Sequence, residues 1–283
     1  MTGETPLPSG VSLEPGQALG AGAGVDLGRL VADLRALGLR RGQHLLVHSA
    51  LSAIGFVNGG PATLLQALQE VVGPAATIVV PTQTPWTSRT SRAFRAATEG
   101  LDQNGIDKYA AALPVFDPET TPSHGMGKFA EYVRTRPEAR RSAHPQTSFA
   151  ALGPDAAACT AEHDADCHLG ERSPLRWLYD ADAAILLIGV GYRACTAFHL
   201  AEYRIRSAPV QGSELDDGDF ARLGEALEAE WLNRTDLVNQ DPAATPYCGS
   251  IGIAQSKRVP LRTAVDFAVS WMAKHRSGAV YDK

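Results

Sequence analysis

Three short apolar runs, separated by segments with helical spacing, constrain the fold of this chain more than any other feature. The runs are HLLVHS, ATIVVPT and DAAILLIGVG, and the helical segments near the first two are VDLGRLVADLRALGL and ATLLQALQEVVG, the latter ending at Gly73. Strands that alternate with amphipathic helices pair in parallel, with the helices as crossovers. The order predicts an α/β fold with a mixed, largely parallel sheet and flanking helices.

Two stretches lack this periodicity. Residues 1–25 are rich in Gly, Pro and Ala, so we expect a flexible N-terminal arm before a single α/β domain over residues 26–283. Residues 82–125 are loop-rich and predict a long irregular insertion that lines a site. Further along the chain, MGKFAEYVRTR and TAVDFAVSWMAKHR are predicted to form helices.

Charge and cysteine content exclude several classes of protein. The net charge of −5, with both signs interspersed, gives no footprint for nucleic acid and suits a cationic small molecule. There is no apolar run of about 18 residues and no signal-peptide pattern, so no membrane span is expected. Four scattered cysteines indicate a reducing compartment, so we expect a cytoplasmic protein. Whether the chain forms a homodimer is left open.

Two loops offer contacts to an anionic ligand. The first, HSALSAIGFVNGG, follows the first apolar run, where open α/β sheets bind ligands, and its serines and glycines expose hydroxyl and N–H groups. The second, RRSAHPQTS, carries two arginines, which make bidentate contacts to phosphate. An ordinary strand-to-helix connection and a solvated basic loop are the respective alternatives.

A cluster of cysteines and histidines has two interpretations. Cys159, His163 and Cys167 are four residues apart, with His168 adjacent, so on a helix the first three would share a face and admit zinc. There is, however, no C-x-x-C knuckle. His168, which precedes a Ser-Pro helix start, is alternatively a general base or an ordinary loop histidine.

The segment CTAFHLAEY presents polar side chains directly after a buried run. Thr196 lies near the expected N-cap of a helix, and His199 and Glu202 are three residues apart on one face. They form an acid–base pair, two metal ligands, or a polar helix N-terminus and nothing more. No serine stands in a G-x-S-x-G elbow, which argues against a hydrolase of that geometry.

Taken in order, seven blocks resemble the aminoglycoside 3-N-acetyltransferase family over residues 27–275. The blocks are LLVHSALSAIGFVNGG, TIVVPT, FDPETTPSHGMG, RRSAHPQTSFAALG, GERSPL, ILLIGVGYRACTAFHLAEY and GSIGIAQ with TAVDFAVSWM. The resemblance implies acetyl transfer, without a metal, from acetyl-coenzyme A to an amine, in resistance enzymes the 3-amino group of a 2-deoxystreptamine ring. It also implies an α/β fold distinct from the common N-acetyltransferase (GNAT) fold. The chain does contain QALGAG, which matches a loop motif of the GNAT fold. That motif stands in the N-terminal arm and not after a strand, which agrees with a different fold.

The resemblance further implies roles for individual residues. The family's base histidine matches His168, and its partner carboxylate matches Glu202, while Thr196 and His199 have supporting positions. An amine is mostly protonated near pH 7, so a base must remove a proton before it attacks the thioester. The expected coenzyme A contacts are Ser49, Ala50, Leu51, Ser52, Ser123, Met126, Gly127, Arg141, Ser142 and Ser148.

Two features depart from the family pattern or align poorly with it. Cys195 stands where the family often has Asn, beside Thr196. The cationic substrate is expected along residues 83–113, with contacts from Trp86, Glu99, Asp102 and Tyr109. A different small amine as acceptor, a zinc enzyme and a non-catalytic coenzyme A-binding module remain alternative hypotheses.

Overall fold

A computed structural model of the chain describes residues 24–87, 89, 91–205, 217–233 and 246–275. The predicted N-terminal arm, with its QALGAG motif, therefore lies almost entirely outside the described residues. At its end, Val25 forms a bridge to Val57, and Asp26 caps the first helix by accepting a hydrogen bond from the Arg29 N–H.

Seven described strands form one mixed sheet in the order β3-β4-β2-β1-β5-β7-β6. They are β1 Leu45–Ser49, β2 Ile78–Pro81, β3 Arg140–Arg141, β4 Phe149–Leu152, β5 Ala184–Ile188, β6 Tyr247–Ile251 and β7 Ala254–Pro260. The three apolar runs of the sequence are β1, β2 and β5, which confirms the α/β class and the mixed sheet.

The expectation of a largely parallel sheet is wrong for this set of strands. β1 pairs in parallel with β2 and β5, whereas β4 pairs antiparallel with β2 and β3, and β7 pairs antiparallel with β5 and β6. For β6 and β7 the physical reason is their short connection. Gly252 and Ile253 alone join β6 to β7, and a link of that length permits antiparallel pairing only.

Helices cover both faces of the sheet. They are α1 Leu27–Ala36, α2 Pro61–Val72, α3 Arg92–Ala97, α4 Gln103–Ala112, α5 Gly127–Arg134, α6 Ala156–Ala161, α7 Pro174–Asp180, α8 Phe198–Ile205, α9 Asp217–Asn233 and α10 Leu261–His275. Helix α2 is capped at its C-terminus by Gly73, whose φ of +73° suits glycine, in agreement with the sequence prediction. Within the described residues, no helix is both long and apolar enough to cross a bilayer.

Two apolar cores lie on opposite faces of the sheet because strand side chains alternate. On β1, Leu45 and Val47 join the core beneath α1, α2 and α5, and Leu46 joins the core beneath α6 to α10. Each fully buried leucine contributes roughly 1.5–3 kcal/mol of transfer free energy. These cores hold the strands rigid and leave the strand ends to carry polar side chains.

The insertion after β2 is more helical than the sequence suggested. It contains α3 and α4 as well as loops, and each helix begins at a side chain that accepts a hydrogen bond from its first turn. Ser91 accepts from the Phe94 N–H, and Asp102 accepts from the Gly105 N–H. Such N-caps end a loop and start a helix without strong apolar periodicity, which is why the pattern was missed.

Candidate active site

The carboxyl ends of the three parallel strands meet at one edge of the sheet. Ser49 at the end of β1 is in register with Ile188 at the end of β5, and the Ala50 N–H donates to the Ile188 carbonyl at 2.9 Å. The antiparallel β4 begins at the same edge, where Phe149 is paired with Pro81. Most of the predicted site residues lie on segments that enter or leave this edge.

The turn before α5 packs directly on the ends of β1 and β2. Gly127 has a φ of +86°, and a Cβ there would lie 3.1 Å from the Ser49 carbonyl oxygen. The His124 N–H donates to the Gln83 carbonyl at 2.9 Å. The structure therefore brings together two predicted cofactor segments, residues 49–52 and 123–127.

Ser123 is tied to the helix that follows it. Its N–H and its Oγ donate to Glu131 Oε2 at 3.0 and 2.6 Å, and Arg134 pairs with the same carboxylate. Partial burial alone would raise the pKa of Glu131, but the hydrogen bonds from Arg134 and Ser123 lower that pKa to about 2. The ionised carboxylate thus fixes the turn that carries Ser123, Met126 and Gly127.

Three predicted cofactor contacts in the RRSAHPQTS loop have partners inside the protein. Arg141 donates from Nε to Thr82 Oγ1 and Ser148 Oγ at 3.1 and 3.0 Å, from Nη2 to the Thr82 carbonyl at 2.6 Å, and from Nη1 to the Thr121 carbonyl. Ser142 and Ser148 are fully buried. A contact between these side chains and coenzyme A stays a prediction. In the structure, the hydrogen bonds of Arg141 hold the neighbouring segments together.

His168 lies in the loop between α6 and α7, half-buried against two other histidines. The centroid of its ring is 4.6 Å from that of His144, which in turn is 4.7 Å from that of His163. The carbonyl oxygen of His168 accepts hydrogen bonds from His163 Nε2 at 2.6 Å and Thr147 Oγ1 at 2.8 Å. The main chain at His168 is therefore held at a defined position.

The helical spacing on which the zinc hypothesis depends is not realised. Helix α6 ends at Ala161, so Cys159 lies on the helix and His163, Cys167 and His168 lie in the following loop. Both ring nitrogens of His163 are hydrogen-bonded, and burial raises the pKa of Cys159 to about 12. Across the described residues, no group of three or more His, Cys, Asp or Glu side chains is arranged to hold a metal ion.

Glu202 is buried on α8 and makes a hydrogen bond to the histidine one turn before it. The distance from Glu202 Oε2 to His199 Nδ1 is 2.7 Å, so the pair predicted by spacing alone is formed. His199 also packs edge-on against Phe220 of α9, with ring centroids 4.8 Å apart. The pairing of Glu202 with His168, which the family resemblance implied, stays a prediction.

The loop that carries His168 nevertheless packs along α8. A Cβ at Gly170 would lie 2.3 Å from the ring of Tyr203, the residue after Glu202, so glycine allows this contact. Arg204 donates to Glu171 at 2.7 Å. Two contacts on successive residues thus hold the loop that begins at His168 against the helix that carries Glu202.

Sequence reasoning missed His48, which lies at the end of β1. It is buried, and its Nε2 is 3.4 Å from Thr196 Oγ1, so it links the end of β1 to the segment between β5 and α8. Burial lowers the pKa of His48 to about 4 and raises that of Cys195, the residue before Thr196, to about 12. Both side chains are therefore neutral near pH 7, and Cys195 is a thiol, not a nucleophilic thiolate. A polar residue ending an apolar run was the available signal for His48.

The predicted substrate residues are dispersed. Trp86 packs edge-on against His124 at 5.1 Å, beside the turn before α5, whereas Tyr109 packs against Phe94 at 5.5 Å. Asp102 caps α4, and Glu99 is exposed between α3 and α4. Trp86 is thus the residue of this set that adjoins the segments at the strand ends, and the role of the others stays a prediction.

Comparison with known proteins defines the class of protein to which this fold and site belong. The chain is 35% identical over 267 residues to the aminoglycoside N(3')-acetyltransferase-like protein YokD of Bacillus subtilis, covering 88% of this chain and 92% of that protein. It is 35% identical to aminoglycoside N(3)-acetyltransferase VII of Streptomyces paromomycinus, covering 86% and 90% of the two chains. Both relatives are named as acetyltransferases or as similar to one.

Solved structures agree with the sequence relatives. The crystal structure of YokD superposes with a TM-score of 0.77 at 32% identity, covering 91% of this chain and 97% of the other. AAC-IIIb in a binary complex with CoASH has a TM-score of 0.72 at 26% identity, covering 89% and 98%. AAC-VIa bound to sisomicin has a TM-score of 0.69 at 29% identity, covering 91% and 100%. The class is an acyltransferase with this α/β fold.

Residues 46–273 match the family described as aminoglycoside 3-N-acetyltransferase, which is most of the chain. The chain belongs to the aminoglycoside 3-N-acetyltransferase family. The resemblance noted in the sequence is therefore confirmed, and so is the expectation of an acyltransferase that does not have the GNAT fold.

Proposed function

We propose that this protein transfers the acetyl group of acetyl-coenzyme A to the 3-amino group of a 2-deoxystreptamine aminoglycoside, and so confers antibiotic resistance. Family membership supports N-acetylation of an antibiotic, and relatives bound to CoASH and to sisomicin support the two ligands. The net charge of −5 suits a polycationic acceptor. We further propose that the reaction takes place in the cytoplasm.

In the proposed reaction, His168 is the general base of a ternary complex. Its neutral imidazole takes a proton from the substrate ammonium, the freed amine attacks the thioester carbonyl, a C–N bond forms and the C–S bond breaks. The nitrogen then loses its second proton to the departing thiolate of coenzyme A, and the imidazolium releases the first proton to solvent, so an ammonium and a thioester give an amide, a thiol and one proton. A carboxylate behind the imidazole would fix its tautomer and stabilise the imidazolium, and that is the role proposed for Glu202. No metal takes part in this sequence of steps.

The observation that carries the proposal is the packing of the His168 loop on α8. Gly170 lies against Tyr203, and Glu171 pairs with Arg204, so the loop and the helix that carries Glu202 are joined residue by residue. The structure also offers one alternative base for the same reaction. His199, already 2.7 Å from Glu202, would be the base if the dyad were local to α8.

Two variants separate the two histidines, and a third tests the carboxylate. We expect His168→Ala to lower kcat by about 10²–10⁴-fold, the usual worth of general-base assistance. Glu202→Gln should lower kcat by roughly 10-fold or more, because the amide stabilises the imidazolium less. His199→Asn should have a smaller effect than His168→Ala. The measurement is thiol release from acetyl-coenzyme A with sisomicin as acceptor.

Near-wild-type kcat in His168→Ala would contradict the assignment of the base. A larger loss in His199→Asn than in His168→Ala would transfer the role to His199. If the wild-type protein binds acetyl-coenzyme A by calorimetry but acetylates no amine, the chain is a binding module. Turnover of another small amine, but of no aminoglycoside, would keep the reaction and change the acceptor.

A further inference from the structure

The carbonyl oxygen of His168 is held from two directions by buried or half-buried side chains. His163 Nε2 lies 2.6 Å from it, and Thr147 Oγ1 lies 2.8 Å from it. A carbonyl oxygen has two lone pairs, so two donors occupy both. This fixes the peptide plane after His168, and with it the direction in which the His168 side chain leaves the main chain.

The proton positions in this arrangement follow from the chemistry of the partners. A carbonyl can only accept, so His163 carries its proton on Nε2. Its Nδ1 then carries no proton and accepts from Ser142 Oγ at 2.8 Å, and that hydroxyl in turn accepts from the Phe149 N–H at 3.0 Å. A chain of hydrogen bonds thus runs from β4 through Ser142 and His163 to the main chain of His168.

His144 orients the turn that carries Thr147, the second donor to the His168 carbonyl. Its Nδ1 lies 3.1 Å from both the Gln146 N and the Thr147 N, so it accepts from two backbone N–H groups. Thr147 Oγ1 also lies 3.2 Å from this nitrogen, but that nitrogen already accepts two N–H groups and the His168 carbonyl is nearer at 2.8 Å, so the single hydroxyl proton of Thr147 goes to the carbonyl. His144 therefore orders the turn that presents the Thr147 hydroxyl.

Neither supporting histidine carries a charge near pH 7. Burial is the main cause that lowers the pKa of His144 to about 3 and that of His163 to about 4, and the neighbouring histidines lower both further. A positive charge beside the His168 ring would oppose its protonation. The neutral rings leave His168 able to take a proton while they hold its main chain.

We propose that His163 and Thr147 are positioning residues, which set the reach of the His168 imidazole to the substrate amine by fixing the carbonyl of His168. The proposal rests on the function proposed above, in which His168 is the base. In this proposal neither residue contacts the substrate, and both act through His168. A misplacement of about 1 Å in a catalytic group costs on the order of 10²-fold in rate, so these hydrogen bonds affect kcat.

The matched pair Thr147→Val and Thr147→Ser tests the hydroxyl. Valine keeps the shape and removes the donor, whereas serine keeps the donor. We expect Thr147→Val to lower kcat by roughly 10-fold, Thr147→Ser to restore most of it, and the KM for acetyl-coenzyme A to change little. Kcat is expressed per coenzyme A-binding site, counted by calorimetry, so that a loss of folded protein does not count as a loss of rate.

The same comparison in a His168→Ala background separates positioning from a general structural role. If Thr147 acts through His168, Thr147→Val lowers the residual rate of His168→Ala by less than about 2-fold, because there is no imidazole left to misplace. An equal loss of kcat in both backgrounds would overturn the proposal. So would wild-type kcat in Thr147→Val.

His163 is tested by His163→Gln and His163→Leu, the first of which keeps an N–H donor. We expect kcat to fall by roughly 10- to 100-fold in His163→Leu and by less in His163→Gln. Equal kcat in the two variants would overturn the role of His163. If His168→Ala itself keeps wild-type kcat, the proposed role of His168 as the base fails. If His168→Ala is inactive while the positioning variants keep wild-type kcat, only the positioning proposal fails.

Discussion

Arg141 is held by protein oxygens on all three of its guanidinium nitrogens. They belong to Thr82, Ser148 and the stretch 118–121, and the guanidinium also lies 4.8 Å over the ring of Phe116. Burial lowers its pKa to about 10, so it remains charged at neutral pH. One side chain thus joins the end of β2, the start of β4 and the loop before α5.

Replacing Arg141 separates its bracing role from a direct contact with coenzyme A. We expect Arg141→Met to lower the free energy of unfolding by about 2 kcal/mol or more, because hydrogen bonds to a charged group are lost and buried oxygens lose their donor. Arg141→Lys, with a point charge in place of a planar fork, should recover part of it. Urea unfolding and the KM for acetyl-coenzyme A are measured together. A ten-fold rise in that KM with unchanged stability would assign Arg141 to the cofactor.

At the scale of secondary-structure elements, the contact between the His168 loop and α8 depends on Gly170. A Cβ there would lie 2.3 to 2.8 Å from three atoms of the Tyr203 ring. Loop and helix approach this closely because that position has no side chain. The relative position of the two candidate catalytic residues therefore rests on a glycine.

Gly170→Ala should separate the loop from α8 and lower kcat by roughly 10-fold or more, since the base and its carboxylate are displaced. The control is Gly191→Ala, at a site-edge glycine with a φ of −90° and no atom within 4 Å of an added Cβ. Steady-state kinetics with both substrates, at a temperature where both variants are folded, makes the comparison. Equal kcat in the two variants would show that the close contact has no catalytic consequence.

At the scale of the whole molecule, buried neutral histidines couple stability to pH. Burial lowers the pKa of His48 and of His163 to about 4, and that of His144 to about 3, from an ordinary value of 6.5. Below about pH 6.5 the unfolded chain binds protons that the folded chain does not. Stability therefore falls as the pH is lowered from about 6.5 towards 4.

We expect the free energy of unfolding to decrease by about 1.4 kcal/mol per pH unit for each such histidine in that window. Urea unfolding at pH 7.5, 6 and 5 measures the slope. His48→Asn should make the slope shallower, whatever its effect on stability at pH 7.5, because one of the three groups is removed. Equal stability at pH 7.5 and 5 would contradict the prediction.

Glu131 causes a second loss of stability at lower pH. The pKa of Glu131 is about 2 in the folded protein, below its ordinary value of 4.5, because its hydrogen bonds to Arg134 and Ser123 outweigh partial burial. Its contribution to stability is present above about pH 4.5 and is lost as the pH falls towards 2. The two windows overlap only below about pH 4.5, so the loss of stability between pH 6.5 and 5 reports histidine protonation, and the loss below about pH 4.5 adds that of this ion pair.

Local pattern determined the elements that are apolar on one or both faces. Burial imposes apolar runs and helical spacing on the chain itself, and these patterns predict β1, β2, β5, α1, α2, α5 and α10. The sequence also predicts Gly73 as the C-terminal cap of α2. The family resemblance added the reaction class, which the comparisons bear out. Net charge indicates a cationic ligand. The three-residue spacing of His199 and Glu202 predicts that they form a pair.

Tertiary structure alone decided the rest. The antiparallel flanks of the sheet, the buried partners of Arg141 and the hydrogen bonds onto the His168 carbonyl join residues that are distant in sequence or whose spacing carries no periodic signal. A buried polar group must find a partner wherever the fold brings one within reach, and no local pattern specifies where that is. Apolar periodicity is a property of one segment, whereas polar complementarity is a property of several segments packed together.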